Sequence, residues 1–270
     1  MKYLSGSELV GYIKERQAKQ VRGLRQAFGV FPKLAIVQTN HLPVIDTYVQ
    51  LKQRYGADIL VDVTQHAVTM DTILDTIHSL NKDDSVHAVI VQLPLAETNA
   101  TDDILRAVAA HKDVDGLGDG NIFDPATALA INWLCAGYNI DLSQQKILIV
   151  GQGRLVGAPL ARMWQNSGYD VRTIEKSDTS HLAEYCQDST LVVSGAGVPG
   201  LITSDMVAKD AIVIDAGTAS ESGKIVGDVA DDVYERQDLT ITPRKGGVGP
   251  LTVSALFDNV LRAALATKQS

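Results

Sequence analysis

Cysteine is almost absent from this chain. Cys135 and Cys186 are the only two in 270 residues, and they lie far apart and outside any C-x-x-C or Cys/His cluster. That scarcity argues against a disulfide framework and against a structural zinc. The six histidines, His41, His66, His78, His87, His111 and His181, never adopt the H-E-x-x-H spacing of a helical metal site, and each is read as a surface or loop residue. No apolar run reaches the roughly 20 residues that span a bilayer, so no membrane association is expected. Basic residues are outnumbered, 24 Lys and Arg against 32 Asp and Glu, for a net charge of −8. They form no stripe, which argues against nucleic-acid binding. Internal repeats, low-complexity tracts and flexible linkers are missing too. The opening segment, MKYLSGSELVGYIKERQ, has no apolar secretory core and turns amphipathic at once; it reads as the first helix of the fold, and a cytoplasmic location is expected.

What is present is the composition of a soluble globular protein, with 45% hydrophobic and 21% charged residues. The length suits one large or two modest domains, and we choose two. Helical spacing covers residues 5 to 28, with Ser5 or Ser7 as possible caps, and Pro32 stops it. A strand follows over 33 to 38, then a helix that Pro43 opens and Gly56 closes. Further along come a strand over 58 to 63, a helix over 72 to 80, a strand over 87 to 95 and a helix over 101 to 111. Residues 112 to 124 form a loop dense in Asp and Gly, and 131 to 139 form a helix crossing between domains. The second series runs strand 147 to 150, helix from about 157, strand 170 to 174, helix near 180 to 186, strand 190 to 194, helix near 203 to 208 and strand 211 to 215. A last helix spans 251 to 266. Strands alternating with helices imply parallel β-α-β units, so the fold class is α/β with two domains: an N-terminal α/β catalytic domain over 1 to 130, and a Rossmann-like parallel-sheet domain over 131 to 251. The final helix, about 252 to 270, is expected to pack back on the first domain.

The stretch KILIVGQGRLVGAPLARMW, 146 to 164, reads as strand, tight turn and helix. Gly151, Gly153 and Gly157 would let backbone N–H groups and a helix N-terminus approach a pyrophosphate. The spacing is G-x-G-x-x-x-G, not G-x-G-x-x-G, and many βα turns hold glycine for conformation alone. Tyr48 and Lys52 lie four apart on a helix and share one face. Standing alone, such a pair is a solvated lysine beside a half-buried tyrosine. Gln92, however, sits at the carboxyl end of a parallel strand, where open α/β sheets bind their ligands. Asp113 and Asp115 lie in KDVDGLGDGN, where turn formation is the default explanation.

Together these stretches resemble the bifunctional methylenetetrahydrofolate dehydrogenase/methenyltetrahydrofolate cyclohydrolase family. TYVQLKQRYG at 47 to 56 looks like its Y-V-x-x-K segment, IVQLPL at 90 to 95 its V-Q-L-P-L element, and KDVDGL at 112 to 117 its K-D-V-D-G-F/L loop. GQGRLVGAP at 151 to 159 is similar to G-R-S-x-I-V-G-x-P, and ITPRKGGVGPLT at 241 to 252 to T-P-V-P-G-G-V-G-P-M-T. AIVIDAG at 211 to 217 and GKIVGDV at 223 to 229 are also similar, and the order is kept throughout. The resemblance implies oxidation of 5,10-methylenetetrahydrofolate by hydride transfer to a nicotinamide, then hydrolysis of the methenyl product to 10-formyltetrahydrofolate at the same site. It implies that Lys52 is the acid/base and electrostatic group, that Gln92 positions it, and that Tyr48 borders the folate ring system and helps to hold Lys52. Asp115 would accept hydrogen bonds from the pterin. Gly247 and Pro250, in the loop 246 to 250, would meet folate and nicotinamide, although the same loop also reads as a tight helix entry. A homodimer is expected on the same ground.

The dinucleotide would be held by Gly151, Gln152, Gly153, Arg154, Val156 and Gly157, with Glu175, Lys176 and Ser177 beside its ribose. NADP and NAD are nearly level. Glu175 stands 24 residues after Gly151, near where an acid binds the ribose hydroxyls of NAD, and would repel a 2′-phosphate. Arg154, Lys176 and Ser177 could supply phosphate contacts, and the family places NADP ahead. The chain departs from the family at Ile45, where a serine is usual, at Arg244-Lys245 for Val-Pro, and at Ala126-Thr127-Ala128 for Cys-Thr-Pro. The positive charge of Arg244-Lys245 could attract a folate glutamate tail or a cofactor phosphate. Two other readings stand beside this one: an unrelated Rossmann small-molecule dehydrogenase, and a non-catalytic pterin- or nucleotide-binding paralogue.

Overall fold

A computed structural model describes the chain apart from residues 121, 176, 177, 179, 222, 223, 269 and 270, and apart from the side chains of 220, 221, 224 and 225. In chain order the elements are β1 (Lys2–Tyr3), α1 (Gly6–Phe28), β2 (Lys33–Gln38), α2 (Pro43–Asp58), β3 (Asp62–Ala67), α3 (Ile73–Lys82), β4 (Ala88–Val91), α4 (Thr101–Arg106) and α5 (Ala126–Gly137). There follow β5 (Ile147–Val150), α6 (Gly157–Asn166), β6 (Val171–Ile174), α7 (Leu182–Gln187), β7 (Leu191–Ser194), β8 (Ile212–Asp215), β9 (Ala219–Glu221), β10 (Lys224–Val226), β11 (Thr240–Ile241) and α8 (Val248–Ala266). They form two compact units. One comprises Gly11–Ala126 with Val253–Ser270, and the other Met1–Val10 with Thr127–Thr252.

The first unit is built on a parallel sheet in the order β3-β2-β4. Leu34, Ala35, Ile36 and Val37 of its central strand are fully buried, as a parallel strand covered on both faces must be. At roughly 1.5–3 kcal/mol for each large aliphatic buried, such strands anchor the unit. One face packs Ala35, Val37, Val89 and Val91 against Ile73 and Ile77 of α3 and Leu105 of α4. Pro43 stands in the first turn of α2, where its fixed φ suits a helix start.

Besides β4 ending at Val91 rather than 95 and α5 running from Ala126 rather than 131, three departures from expectation have a tertiary reason. The strand expected over 58 to 63 begins only at Asp62, because α2 runs to Asp58 and the apolar Ile59 and Val61 are buried in the turn that follows, with Leu60 at φ 67°. β3 itself is a half-exposed edge strand, and its polar sequence hid it. The helix expected over 101 to 111 stops at Arg106, since the Asn81 amide donates to the Ala107 carbonyl (2.7 Å) and accepts from the Ala109 N–H (3.0 Å). No helix forms near 203 to 208. There the Arg236 guanidinium takes the carbonyls of Ser204 (2.9 Å), Val207 (2.6 Å) and Ala208 (3.1 Å), which a continuing helix would have used.

The second unit carries a six-stranded parallel sheet in the order β1-β11-β8-β7-β5-β6. Residues 1 to 10 join this unit because Lys2 and Tyr3 extend the sheet beside Thr240 and Ile241. The chain leaves β5 for β6 on one side and continues through β7 on the other. The carboxyl end of β5 is therefore a topological switch point.

Candidate active site

In the first unit, α2 presents Tyr48 and Lys52 on one half-buried face, as their spacing predicts. Lys52 Nζ donates to Gln92 Oε1 at 2.7 Å, across 40 residues of sequence. Gln92 follows β4, is almost fully buried, and donates its own Nε2 to the Leu93 carbonyl at 2.9 Å. That second bond fixes the amide's orientation, so its oxygen can only face the lysine. Burial holds the Lys52 pKa below the ordinary lysine value, and the charge of Asp115 opposes the shift. Burial also pushes the Asp115 carboxyl up to about 6, with Lys52 pulling it down and Asp113 adding to the rise. The Tyr48 phenol is raised by burial alone. The structure thus brings together Lys52, Gln92 and Asp115, with Tyr48 one helical turn from Lys52.

The loop holding Asp115 owes its shape to its neighbours. Asp113 accepts from the N–H groups of Gly116 (3.1 Å), Leu117 (3.0 Å) and Gly118 (2.7 Å). Lys112 caps the end of α3, donating to the carbonyls of Leu80 (2.9 Å) and Asp83 (2.8 Å). Of the charged residues in K-D-V-D, only Asp115 is left facing Lys52 electrostatically.

The other predicted residues lie in the second unit. Gly151 ends β5 at φ 89°, and a Cβ there would stand 2.7 Å from Ala196 Cα. A Cβ on Gly157 would fall 1.7 Å from the Gly151 carbonyl oxygen. Packing therefore demands both glycines. Gly153 differs: a Cβ there would meet nothing within 4 Å, so packing does not require its glycine and the backbone at that point borders open space. Val156 caps α6 without a side-chain bond; in the first turn the Ala158 N–H donates to the Gly153 carbonyl at 3.2 Å and Pro159 has no N–H, so an anion there would meet chiefly the positive end of the helix dipole. Gln152 and Arg154 flank the turn, and Glu175 follows β6, whose last residue Ile174 accepts from the Gly151 N–H at 2.8 Å. These residues fit a dinucleotide. Lys176 and Ser177 lie outside the described residues.

Gly247 and Pro250 also belong to the second unit. Ser7 N–H donates to the Gly246 carbonyl at 2.9 Å, and α8 starts at Val248, so the loop is a tight helix entry. Arg244 is engaged locally: it pairs with Asp231 and lies 4.4 Å over the Tyr234 ring. Ile45 is 3% exposed within the α2 core face, and Ala128 is fully buried in α5, so two of the departures serve packing.

Sequence reasoning missed the buried polar residues that hold these loops. Asp228 accepts from Ser194 Oγ (2.7 Å), Ala196 N (2.7 Å) and Val198 N (2.8 Å), and Asp215 from the N–H groups of Gly217 (2.9 Å), Asp228 (3.0 Å) and Val229 (3.1 Å). The signal available was a carboxylate set in an apolar run, as in I-V-I-D and I-V-G-D. Among the described residues no cluster of His, Cys, Asp or Glu could hold a metal, and no helix is long and apolar enough to cross a membrane.

A glycine turn at the switch point of one parallel sheet and, in the other unit, a desolvated lysine held by a strand-end glutamine mark an α/β protein of the class that pairs a dinucleotide-binding domain with a second, catalytic one. Residues 4–115 match the tetrahydrofolate dehydrogenase/cyclohydrolase catalytic domain and residues 125–268 the NAD(P)-binding domain of the same proteins. The bifunctional protein FolD of Campylobacter jejuni is 35% identical over 98% of each chain, and that of Nitratiruptor sp. 34% identical over the whole of both. The crystal structure of the Campylobacter jejuni bifunctional enzyme superposes with a TM-score of 0.92 at 34% identity, covering 99% of each chain. That of the Trypanosoma brucei dehydrogenase-cyclohydrolase, solved with NADP and an inhibitor, also gives 0.92, at 27% identity over 99% of this chain and 98% of that one. The chain belongs to the tetrahydrofolate dehydrogenase/cyclohydrolase family.

Proposed function

We propose that this enzyme oxidises 5,10-methylenetetrahydrofolate to the methenyl compound and hydrolyses that to 10-formyltetrahydrofolate, with Lys52, Gln92, Tyr48 and Asp115 as its working side chains. The observation that carries the reading is the Lys52–Gln92 bond at 2.7 Å on a lysine whose pKa is lowered by burial. In the hydrolytic step a water adds to the methenyl carbon, the bond to one folate nitrogen breaks, and one proton is released. A lysine whose pKa is lowered by burial can take a proton from the attacking water and return it at N5, the nitrogen that leaves when 10-formyltetrahydrofolate forms. Gln92 Oε1 holds one Nζ–H, so the remaining positions of Nζ point to the reacting atoms. Asp115 accepts hydrogen bonds from the pterin, for which its carboxylate must be ionised. Tyr48 covers the ring with its apolar face.

When bound, the dinucleotide supplies the hydride acceptor. Gly151, Gln152, Gly153, Arg154, Val156 and Gly157 would hold its pyrophosphate, with Gly247 and Pro250 contributing backbone to the ligands. The first unit with the end of α8 is the folate-binding catalytic domain in this reading, and the second unit the dinucleotide-binding domain. We place the enzyme in the cytoplasm as a homodimer, as the family resemblance implies. The full-length family match leaves no support for an unrelated dehydrogenase.

The test supplies 5,10-methylenetetrahydrofolate with NADP or NAD and follows reduced nicotinamide and methenyl product together, then supplies the methenyl compound alone. Turnover in both arms is expected. A well-folded protein inactive in both is a non-catalytic paralogue.

NADP is the cofactor in this reading, with Glu175 setting its margin over NAD. Removing that carboxylate relieves repulsion of the 2′-phosphate, so Glu175→Ala should raise the NADP-over-NAD ratio of kcat/KM by about tenfold, equivalent to about 1.4 kcal/mol. An unchanged ratio would refute the assignment of Glu175 to the ribose.

A further inference from the structure

Asn259 lies within α8, fully buried, in a helix face otherwise made of Ala255, Leu256, Phe257, Val260 and Ala263. Burying an amide there is unfavourable unless every group is paired, and this one is. Its Nδ2 donates to the Val114 carbonyl at 2.9 Å and to the Asp124 carbonyl at 2.9 Å. Its Oδ1 accepts from Arg262 Nη1 at 3.3 Å, which settles which end of the amide faces the loop. Arg262 also lies 5.4 Å over the ring of Phe123, beside the second carbonyl.

The two carbonyls bracket the loop that presents Asp115. That of Val114 belongs to the very peptide whose nitrogen is Asp115's, so a bond to it sets the plane from which the Asp115 side chain projects. Asp113 grips the loop from within through the backbone N–H groups of Asp115, Gly116, Leu117 and Gly118, and Asn259 holds the carbonyl side of the Val114–Asp115 peptide from outside. Among the described residues, Asn259 is the side chain that ties the Val114 carbonyl to that of Asp124. We propose that Asn259 is a positioning residue for the folate reaction: by stapling Val114 and Asp124 it holds the Asp115 carboxylate against the pterin and toward Lys52. The identity of the ligand rests on the function proposed above. The stapling rests on geometry alone.

A purely architectural amide would affect stability and nothing else. A positioning residue moves substrate affinity and the pH at which Asp115 works. Asn259→Leu removes both donors at similar volume, and Asn259→Asp turns an acceptor against the two carbonyls. With either variant KM for methenyltetrahydrofolate should rise about tenfold, since small displacements of a binding group are amplified in this way. The low-pH limb of kcat/KM should move to higher pH, because an Asp115 drawn away from Lys52 loses the charge that favours its ionised form. The dissociation constant for NADP should not change. Amides 115 to 118 should exchange with solvent about tenfold faster than in the parent protein. Folded variants with unchanged KM, pH limb and exchange, and only a lower Tm, would overturn the proposal. Should the parent protein hydrolyse no folate, the proposed function fails, and the exchange comparison still decides the staple. If neither Asn259 variant folds, the exposed Arg262→Ala decides it: a rise of KM by about threefold supports the proposal, and an unchanged KM overturns it.

Discussion

Lys52→Met should lower the rate of methenyltetrahydrofolate hydrolysis by about a thousandfold, the middle of the range for general acid–base groups, with the fold intact. Methionine nearly matches the lysine stem and needs no partner. It leaves only Gln92 Oε1 without its donor, and Gln92 stays tied to Leu93 through Nε2. Thermal unfolding should therefore move little while activity collapses, a separation that a structural lysine would not show. The pH profile carries a second consequence. Asp115 titrates at about 6, and the Lys52 charge is the influence that keeps it from rising further. In the parent enzyme, folate binding should weaken as the pH falls through about 6, because a protonated carboxyl accepts fewer pterin hydrogen bonds. Without the lysine the same limb should stand at higher pH. Stopped-flow absorbance of the methenyl chromophore across pH measures both quantities. Hydrolysis at the parent rate would remove Lys52 from the chemistry, and a limb that stays in place would separate Asp115 from Lys52.

Asp228→Ala should destabilise the protein by about 3–5 kcal/mol, since it strips two buried donors and one part-buried donor of their acceptor at about 1–3 kcal/mol each with partial relaxation. The carboxylate is 0% exposed and accepts from the Ser194 hydroxyl and from the N–H groups of Ala196 and Val198. Those residues form the turn after β7 whose backbone lies against Gly151, so dinucleotide affinity should fall along with stability. Asp228→Asn should lose about half as much, because one oxygen remains while the new amide faces a donor. Denaturant unfolding gives the first number and NADP titration the second. A loss below about 1 kcal/mol for the alanine variant would mean that water replaces the carboxylate at little cost, and that Asp228 does not organise the turn.

Much of the site is legible because its signals are local. Tyr48 and Lys52 share a face through the helical period, and that face survives in α2. The strand before Gly151 is a β-branched run, and the turn after it is where the glycines fall. The misreadings share one cause. β3 is polar because it is an edge strand, α4 ends because Asn81 intercepts its continuation, and 203 to 208 is no helix because Arg236 claims its carbonyls. In each case a partner distant in sequence outbids local propensity, and periodicity cannot report such a partner.

The sequence by itself determined the α/β alternation, the strand, glycine turn and helix around 151 to 157, and the family, because backbone period, glycine conformation and ordered motifs are all written locally. The tertiary structure alone decided that Lys52 meets Gln92 across 40 residues, that Asp113 shapes the loop while Asp115 faces the lysine, and that Asp228 and Asn259 hold the turns around them. The physical reason is that a buried polar group acquires its role only from the partners that satisfy it. Those partners come together only when the chain has closed.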